Sequence, residues 1–114
     1  MSWFRLLPKA LIEVAYVSSG EFAWSRNDAL SVLAELQKHK YVILGVDVWI
    51  PTNPGPTIPT PYVYDWDSEG GATRNDRERT ARNFILNFEW SPDDRSHFGL
   101  EPYFNITAVS ERPQ

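Results

Sequence analysis

With 114 residues, the chain is long enough for one hydrophobic core, and we expect a single domain over residues 1–114. The formal net charge of -4 disfavours binding to nucleic acid, and the absence of cysteine excludes disulfides and Cys-ligated metal sites. The apolar start is interrupted by charges and Pro8, so it fits neither a signal peptide nor a membrane span. We therefore expect a cytoplasmic protein.

Two helices are predicted ahead of the first long strand. The first begins near Pro8, which a first helical turn tolerates, and ends at Ser18–Gly20. Its short apolar stripe comprises Leu11, Ile12, Ala15 and Tyr16. The second has Ser25 as its predicted N-cap, with Asp28 in the capping-box position. Its apolar stripe comprises Ala29, Leu30, Leu33 and Leu36.

Tyr41–Ile50 is predicted to be a strand in which side chains alternate between two faces. One face would carry Val42, Leu44, Val46, Val48 and Ile50, and the other Tyr41, Ile43, Gly45, Asp47 and Trp49. Because both faces are largely apolar, the strand is expected to lie inside a sheet that is covered on both sides. Asp47 then needs polar partners or a place at a surface, because an unpaired buried carboxylate is costly.

The segment after this strand combines a proline-rich connector with a second strand. Pro51–Pro61 contains five of the nine prolines, which remove backbone donors and favour a loop. Thr60–Trp66 is the predicted second strand, and Asp67–Arg74 is a predicted turn around two glycines. Tyr62, Tyr64 and Trp66 share one face of this strand, which is either core or a binding surface.

A third helix and a last strand complete the predicted fold. Asn75 is the predicted N-cap of the third helix, with Glu78 in the box position. Its apolar stripe comprises Ala81, Phe84, Ile85 and Phe88. Its start and exposed side are basic because of Arg74, Arg77, Arg79 and Arg82. The last strand, Glu101–Val109, places Phe104, Ile106 and Ala108 on one face and Tyr103, Asn105 and Thr107 on the other. Helices and strands do not alternate regularly, which predicts an α+β fold: a small, mainly antiparallel sheet with about three helices packed on it.

The sequence holds no motif typical of a cofactor or metal enzyme. There is no nucleotide-binding glycine loop, and His39 and His97 have no partners at metal-ligand spacing. We therefore expect no catalytic residue, cofactor or metal. Asp47 and Asp65 are the one pair of carboxylates that suits acid–base catalysis, since they are expected on adjacent strands. A small enzyme that uses this pair stays an alternative, as does an adaptor that binds peptides through the aromatic strand.

An aromatic and acidic set on the two strands is the main candidate for recognition. Tryptophan and tyrosine are enriched where one protein anchors on another, and exposed acids attract a basic partner. The set comprises Asp47, Trp49, Tyr62, Tyr64, Asp65, Trp66, Asp67 and Glu69.

Four segments resemble the Immunity protein 40 family of bacterial polymorphic toxin systems. They are DALSVLAELQKHK, ILGVDVW, YVYDW and RERTARNFILNF, which run in the same order from about Asp28 to Phe88. The resemblance implies a protein that neutralises a cognate toxin by direct binding, without a cofactor, by occluding the toxin's active site. Because many such toxins act on nucleic acid through a basic cleft, an acidic binder would gain electrostatic steering. The aromatic and acidic set above would then form the toxin-binding surface, with Trp49 or Trp66 as its anchor.

Overall fold

The computed structural model describes residues 3–50, 73–89 and 101–110, together with the backbone of residues 63–65. A 3-10 turn at Trp3–Leu6 precedes eight elements, which confirm the predicted α+β class. In chain order these are α1 (Lys9–Glu13), β1 (Tyr16–Ser18), β2 (Glu21–Trp24), α2 (Arg26–Lys38), β3 (Tyr41–Trp49), β4 (Val63–Asp65), α3 (Arg74–Asn87) and β5 (Tyr103–Ser110).

The described strands form one five-stranded sheet in the order β1-β2-β5-β3-β4, and every neighbouring pair is antiparallel. β5, the last strand in chain order, lies between β2 and β3. β1 and β4 are the two edge strands within this described sheet. The predicted interior position of β3 is confirmed, because β5 and β4 pair with it on either side.

One face of the sheet carries the hydrophobic core, which α2 and α3 cover. The apolar stripes predicted for α2 and α3 are largely buried here, and so are Phe104 and Ile106 of β5 as predicted. The buried side chains of the two helices and the strands include Trp24, Ala29, Val32, Leu33, Leu36, Val46, Val48, Ala81, Ile85 and Phe104. Because these residues come from every layer, the helices and the sheet share a single apolar cluster.

The predicted first helix is shorter than expected, and a β-hairpin follows it. α1 ends at Glu13, and Tyr16 starts β1 instead of closing a helical stripe. Ser19 and Gly20 have φ of 52° and 79°, so they form a two-residue turn of the kind that matches the twist of a hairpin. The prediction that Ser18–Gly20 merely end a helix was therefore wrong.

A β-bulge in β3 overturns the predicted alternation along that strand. The register moves from Ile43 opposite Ala108 to Gly45 opposite Thr107, so Leu44 is an extra residue. Because the extra residue reverses the parity, Ile43 packs in the core together with Val46 and Val48.

The helix N-caps also differ from the predictions. α3 is capped by Thr73 rather than Asn75: Asp76 N–H donates to Thr73 Oγ1 at 3.0 Å, and Thr73 N–H donates to Asp76 Oδ2 at 3.2 Å. For α2, Ser25 does occupy the N-cap, but its hydroxyl donates to the Asp28 carboxylate at 3.1 Å and bonds no backbone N–H. Both helices have a carboxylate three residues after a hydroxyl, but of the two only α3 has a complete capping box.

The ends of α2 and α3 are joined by two arginines, each at the first position of one helix. Arg26 of α2 donates to the carbonyls of Ile85 at 2.6 Å and Leu86 at 3.3 Å, in the last turn of α3. Arg74 of α3 donates to the Gln37 carbonyl at 3.2 Å, in the last turn of α2. A cation beside the C-terminal end of a helix is favourable, so each arginine stabilises the end of the neighbouring helix.

Candidate binding face

The face of the sheet opposite the helices, called the outer face here, carries a row of residues that crosses all five strands. The register pairs Tyr16 with Ala23, Ala23 with Asn105, Asn105 with Asp47, and Asp47 with Val63. Directly paired residues in an antiparallel sheet share a face. Asp47 therefore lies in a continuous row with Asn105 and Tyr16, which come from distant parts of the chain.

Three aromatic rings form a cluster beside this row. Tyr16 meets Trp49 edge-on at 6.0 Å between ring centroids, and it meets Tyr103 at 5.9 Å. Trp49 is only 3% exposed, whereas the two tyrosines are half-buried. Trp49 lies beside Tyr103 on the same face, since the two are directly paired, and the tyrosine rings are the members of the cluster that present surface.

Trp49 also carries an unpaired polar group. Its indole Nε1 is buried and has no hydrogen-bond partner among the residues that the structure describes. A buried indole N–H without a partner costs part of its hydration free energy. Trp49 is thus buried among the described residues, and its role as an anchor of the interface stays a prediction.

Asp47 is half-buried, next to the buried side chain of Asn105. The Asn105 Nδ2 donates to the Phe22 carbonyl at 2.8 Å, which ties β5 to β2. Satisfying buried polar groups in this way fixes their side chains. Asp47 therefore lies beside an Asn105 side chain whose position is fixed by its hydrogen bond.

Asp65 lies on the strand next to Asp47, as expected for the carboxylate pair. The register places Asp65 opposite Gly45, and Tyr64 opposite Val46, which faces the core. Asp47 itself is opposite Val63, so the two aspartates occupy places two residues apart along the ladder. The other candidates, Tyr62, Trp66, Asp67 and Glu69, lie outside the described residues, as does the proline-rich connector.

The four arginines that were predicted to make the start and exposed side of α3 basic each have a polar partner. Arg77 donates to the Ile43 carbonyl at 3.5 Å, next to the bulge, and Arg74 caps α2 as described. Arg79 pairs with Asp76 at 3.2 Å, and Arg82 pairs with Glu78. Their charge is used inside the fold or offset by acids of the same helix, so α3 is a weak candidate for binding an acidic partner.

Tyr16, Tyr103 and Asn105 belong to the outer face but were not among the predicted site residues. The alternation along the last strand does place Tyr103 and Asn105 together, away from the core. The alternation does not show which strands lie next to β5, because strand order depends on pairing between residues that are far apart in sequence. Tyr16 was missed for a second reason, since its strand was predicted to be helical.

Other kinds of site receive no support from the described part of the chain. No cluster of three or more His, Cys, Asp or Glu side chains there is placed to bind a metal ion. His39 is an exposed residue at the end of α2, and His97 is not among the described residues. None of the described helices is both long enough and apolar enough to cross a bilayer.

Comparison with known proteins adds no relative: no family model, no curated protein and no solved structure matches this chain. The resemblance to the Immunity protein 40 family therefore rests on the four quoted segments alone. Two of those segments, ILGVDVW and YVYDW, are the ones that pair as β3 and β4.

Proposed function

We propose that the protein is an immunity protein, which binds a cognate polymorphic toxin directly and occludes its active site. The observation that carries the proposal is the pairing of β3 with β4. This pairing sets the two segments with mixed aromatics and acids side by side, and β4 is an edge strand of the described sheet. Two segments that are separate in sequence are thereby adjacent in the sheet.

The partner that this surface suits is a protein with a basic cleft. Asp47 and the backbone position of Asp65 lie on neighbouring strands, and Asp67 and Glu69 follow in the sequence. The whole chain has a net charge of -4, which adds a long-range attraction to a basic partner. The tyrosines of the aromatic cluster supply apolar area with a polar tip, as is common at protein interfaces.

The first experiment identifies the partner through the neighbouring genes. A protein encoded immediately upstream is expressed alone and together with this chain, and growth of the host is measured. We expect the upstream protein to be toxic alone and harmless when co-expressed. Toxicity that persists despite co-expression of folded protein would refute the proposal for that partner.

The second experiment tests the acidic surface by binding kinetics with the cognate toxin at low and high salt. We expect the double variant Asp65→Lys, Asp67→Lys to slow association at low salt, because exposed charges mainly affect the rate of encounter. The control, Glu13→Lys with Glu101→Lys, changes the net charge equally, by replacing two exposed acids elsewhere. If both variants associate at the same rate, the acidic segment does not face the toxin.

The aromatic cluster is tested separately through dissociation. Tyr16→Ala removes a half-buried ring while its neighbours Trp49 and Tyr103 remain. We expect the toxin to dissociate faster from this variant, because interface aromatics mainly determine the lifetime of a complex. An unchanged dissociation rate in a stably folded variant places the interface elsewhere on the molecule.

A further inference from the structure

The edge strand β1 has features that suit pairing with another strand. It lies at the end of the described sheet, and no described strand pairs with it on the side away from β2. Open edges are normally protected by charged residues or proline. The stretch from Val14 to Gly20 contains neither a charged residue nor a proline, so its main protection is the shortness of the strand.

The turn of the hairpin determines which backbone groups of β1 point outward. In a two-residue hairpin the residues that flank the turn, here Ser18 and Glu21, form a hydrogen-bonded pair. The next pair, Val17 with Phe22, is then a non-hydrogen-bonded pair. The N–H and C=O of Val17 therefore point away from β2, toward the open edge.

The side chains around this edge are apolar or small. Val17 is 56% exposed and Val14 is 51% exposed, although both are hydrophobic. A Cβ atom added at Gly20 would meet no other atom within 4 Å, so there is open space over the turn. The edge thus offers the outward N–H and C=O of Val17. Exposed apolar side chains lie near it at Val14 and Val17, and there is open space at the Gly20 turn.

We propose that a second copy of this chain pairs with β1, antiparallel, about a two-fold axis at Val17. The two copies of Val17 would then face each other as a hydrogen-bonded pair and exchange both N–H···O=C bonds. In this register Tyr16 lies opposite the second copy's Ser18, and the pairing ends where the Ser19–Gly20 turn leaves the strand. The two five-stranded sheets would then form one continuous sheet that runs through both copies.

A second copy fits this edge because the edge is complementary to itself. In a two-fold contact each side chain meets its own copy or a residue close to it, so a charged strand would repel itself. β1 avoids this repulsion, because none of its residues Tyr16, Val17 and Ser18 is charged. Three residues a side make a small interface, well below the area of about 1,200 Å² at which stable complexes begin, so the association is weak and depends on concentration.

The test is sedimentation equilibrium of the full chain from about 10 μM to about 1 mM, a range that covers weak complexes. We expect the average mass to rise from 13.1 kDa toward twice that value. Val17→Lys should weaken the association at least tenfold, because two like charges would then face each other. Leu86→Lys is the matched control, since Leu86 is similarly exposed, 50%, and lies on α3.

Amide hydrogen exchange supplies a readout that does not depend on a variant. The Val17 amide should become more protected as the protein concentration rises, whereas the amide of Leu86, on α3, should not change. The proposal is overturned if the protein stays at 13.1 kDa throughout the range. It is equally overturned if Val17→Lys and Leu86→Lys weaken association alike, or if Val17 exchange is independent of concentration.

Discussion

Replacing Arg26 with methionine tests how strongly the two helices depend on each other. Arg26 donates to the carbonyls of Ile85 and Leu86, and it reaches them from the first position of α2. Methionine keeps most of the length and apolar stem of the arginine side chain but has no donor. The change therefore removes the hydrogen bonds and the charge, and leaves most of the packing.

The expected cost follows from the surroundings of these carbonyls. A hydrogen bond from a charged donor contributes about 1.5–3 kcal/mol, and a cation at a helix C-terminus adds about 0.3–1 kcal/mol. Arg26 is half-buried, so water replaces part of the lost bonding when the side chain is removed. We expect Arg26→Met to lower the free energy of unfolding by about 1–2 kcal/mol. In a domain of this size that corresponds to a melting temperature lower by about 4–8 °C.

The assay is equilibrium unfolding in urea, followed by tryptophan fluorescence, with Arg79→Met as the matched control. Arg79 is an exposed arginine on α3, and among the described residues its partner is Asp76 of the same helix turn. An exposed pair of this kind contributes about 0–1 kcal/mol, so the control should unfold almost like the original protein. If Arg26→Met and Arg79→Met give the same unfolding midpoint, the arginine caps do not stabilise the helix pair as argued here.

Three further predictions concern single residues. Lys40→Gly should stabilise the protein by up to about 1 kcal/mol in urea unfolding, because Lys40 has φ of 60°, which glycine adopts without strain; no gain would contradict this. Asp76→Ala should lower the melting temperature near neutral pH, and the difference should shrink in acid. The pKa of Asp76 is lowered below 3.8 by hydrogen bonds from the N–H and the hydroxyl of Thr73, and then by Arg79. The stabilisation from Asp76 is therefore complete above pH 3.8 and is lost as the pH falls through the lowered pKa. A difference in melting temperature that is the same in acid would refute the capping role. Asp47→Ala should cost about 1–3 kcal/mol, measured by thermal unfolding, since Asp47 lies half-buried in the middle of the sheet. If stability is unchanged and toxin binding is lost, Asp47 belongs to the contact surface instead.

The elements with strong periodic patterns are the ones that could be predicted from the sequence. The stripes of α2 and α3 and the two faces of β5 were right because burial of one face determines where apolar residues recur. The hairpin of β1 and β2 was missed because Leu11, Ile12, Ala15 and Tyr16 also fit helical spacing. The bulge at Leu44 was missed because one extra residue in a strand that is apolar on both faces leaves no trace in the pattern.

Of the candidate site, the sequence could predict only the features that each strand shows by itself. Asp47 and Trp49 could be recognised as unusual, since one is a carboxylate and the other a large ring in an apolar strand. Their neighbours Tyr16, Tyr103 and Asn105 come from strands far away in sequence. The same is true of the arginines, whose partners on α2 and β3 no local pattern identifies.

The position of β5 has a consequence for how the chain acquires its structure. β1 and β2 form one hairpin, β3 and β4 form another antiparallel pair, and β5 is the only described strand that bonds to both. During synthesis the two pairs can form early, but they cannot join until residues 103–110 leave the ribosome. Closing contacts such as that from Phe22 to Asn105 span most of the chain, which slows folding. Until that moment the edges of β2 and β3 that β5 will cover are open. The nascent chain therefore depends on β5 to keep these apolar edges from pairing with strands of other chains.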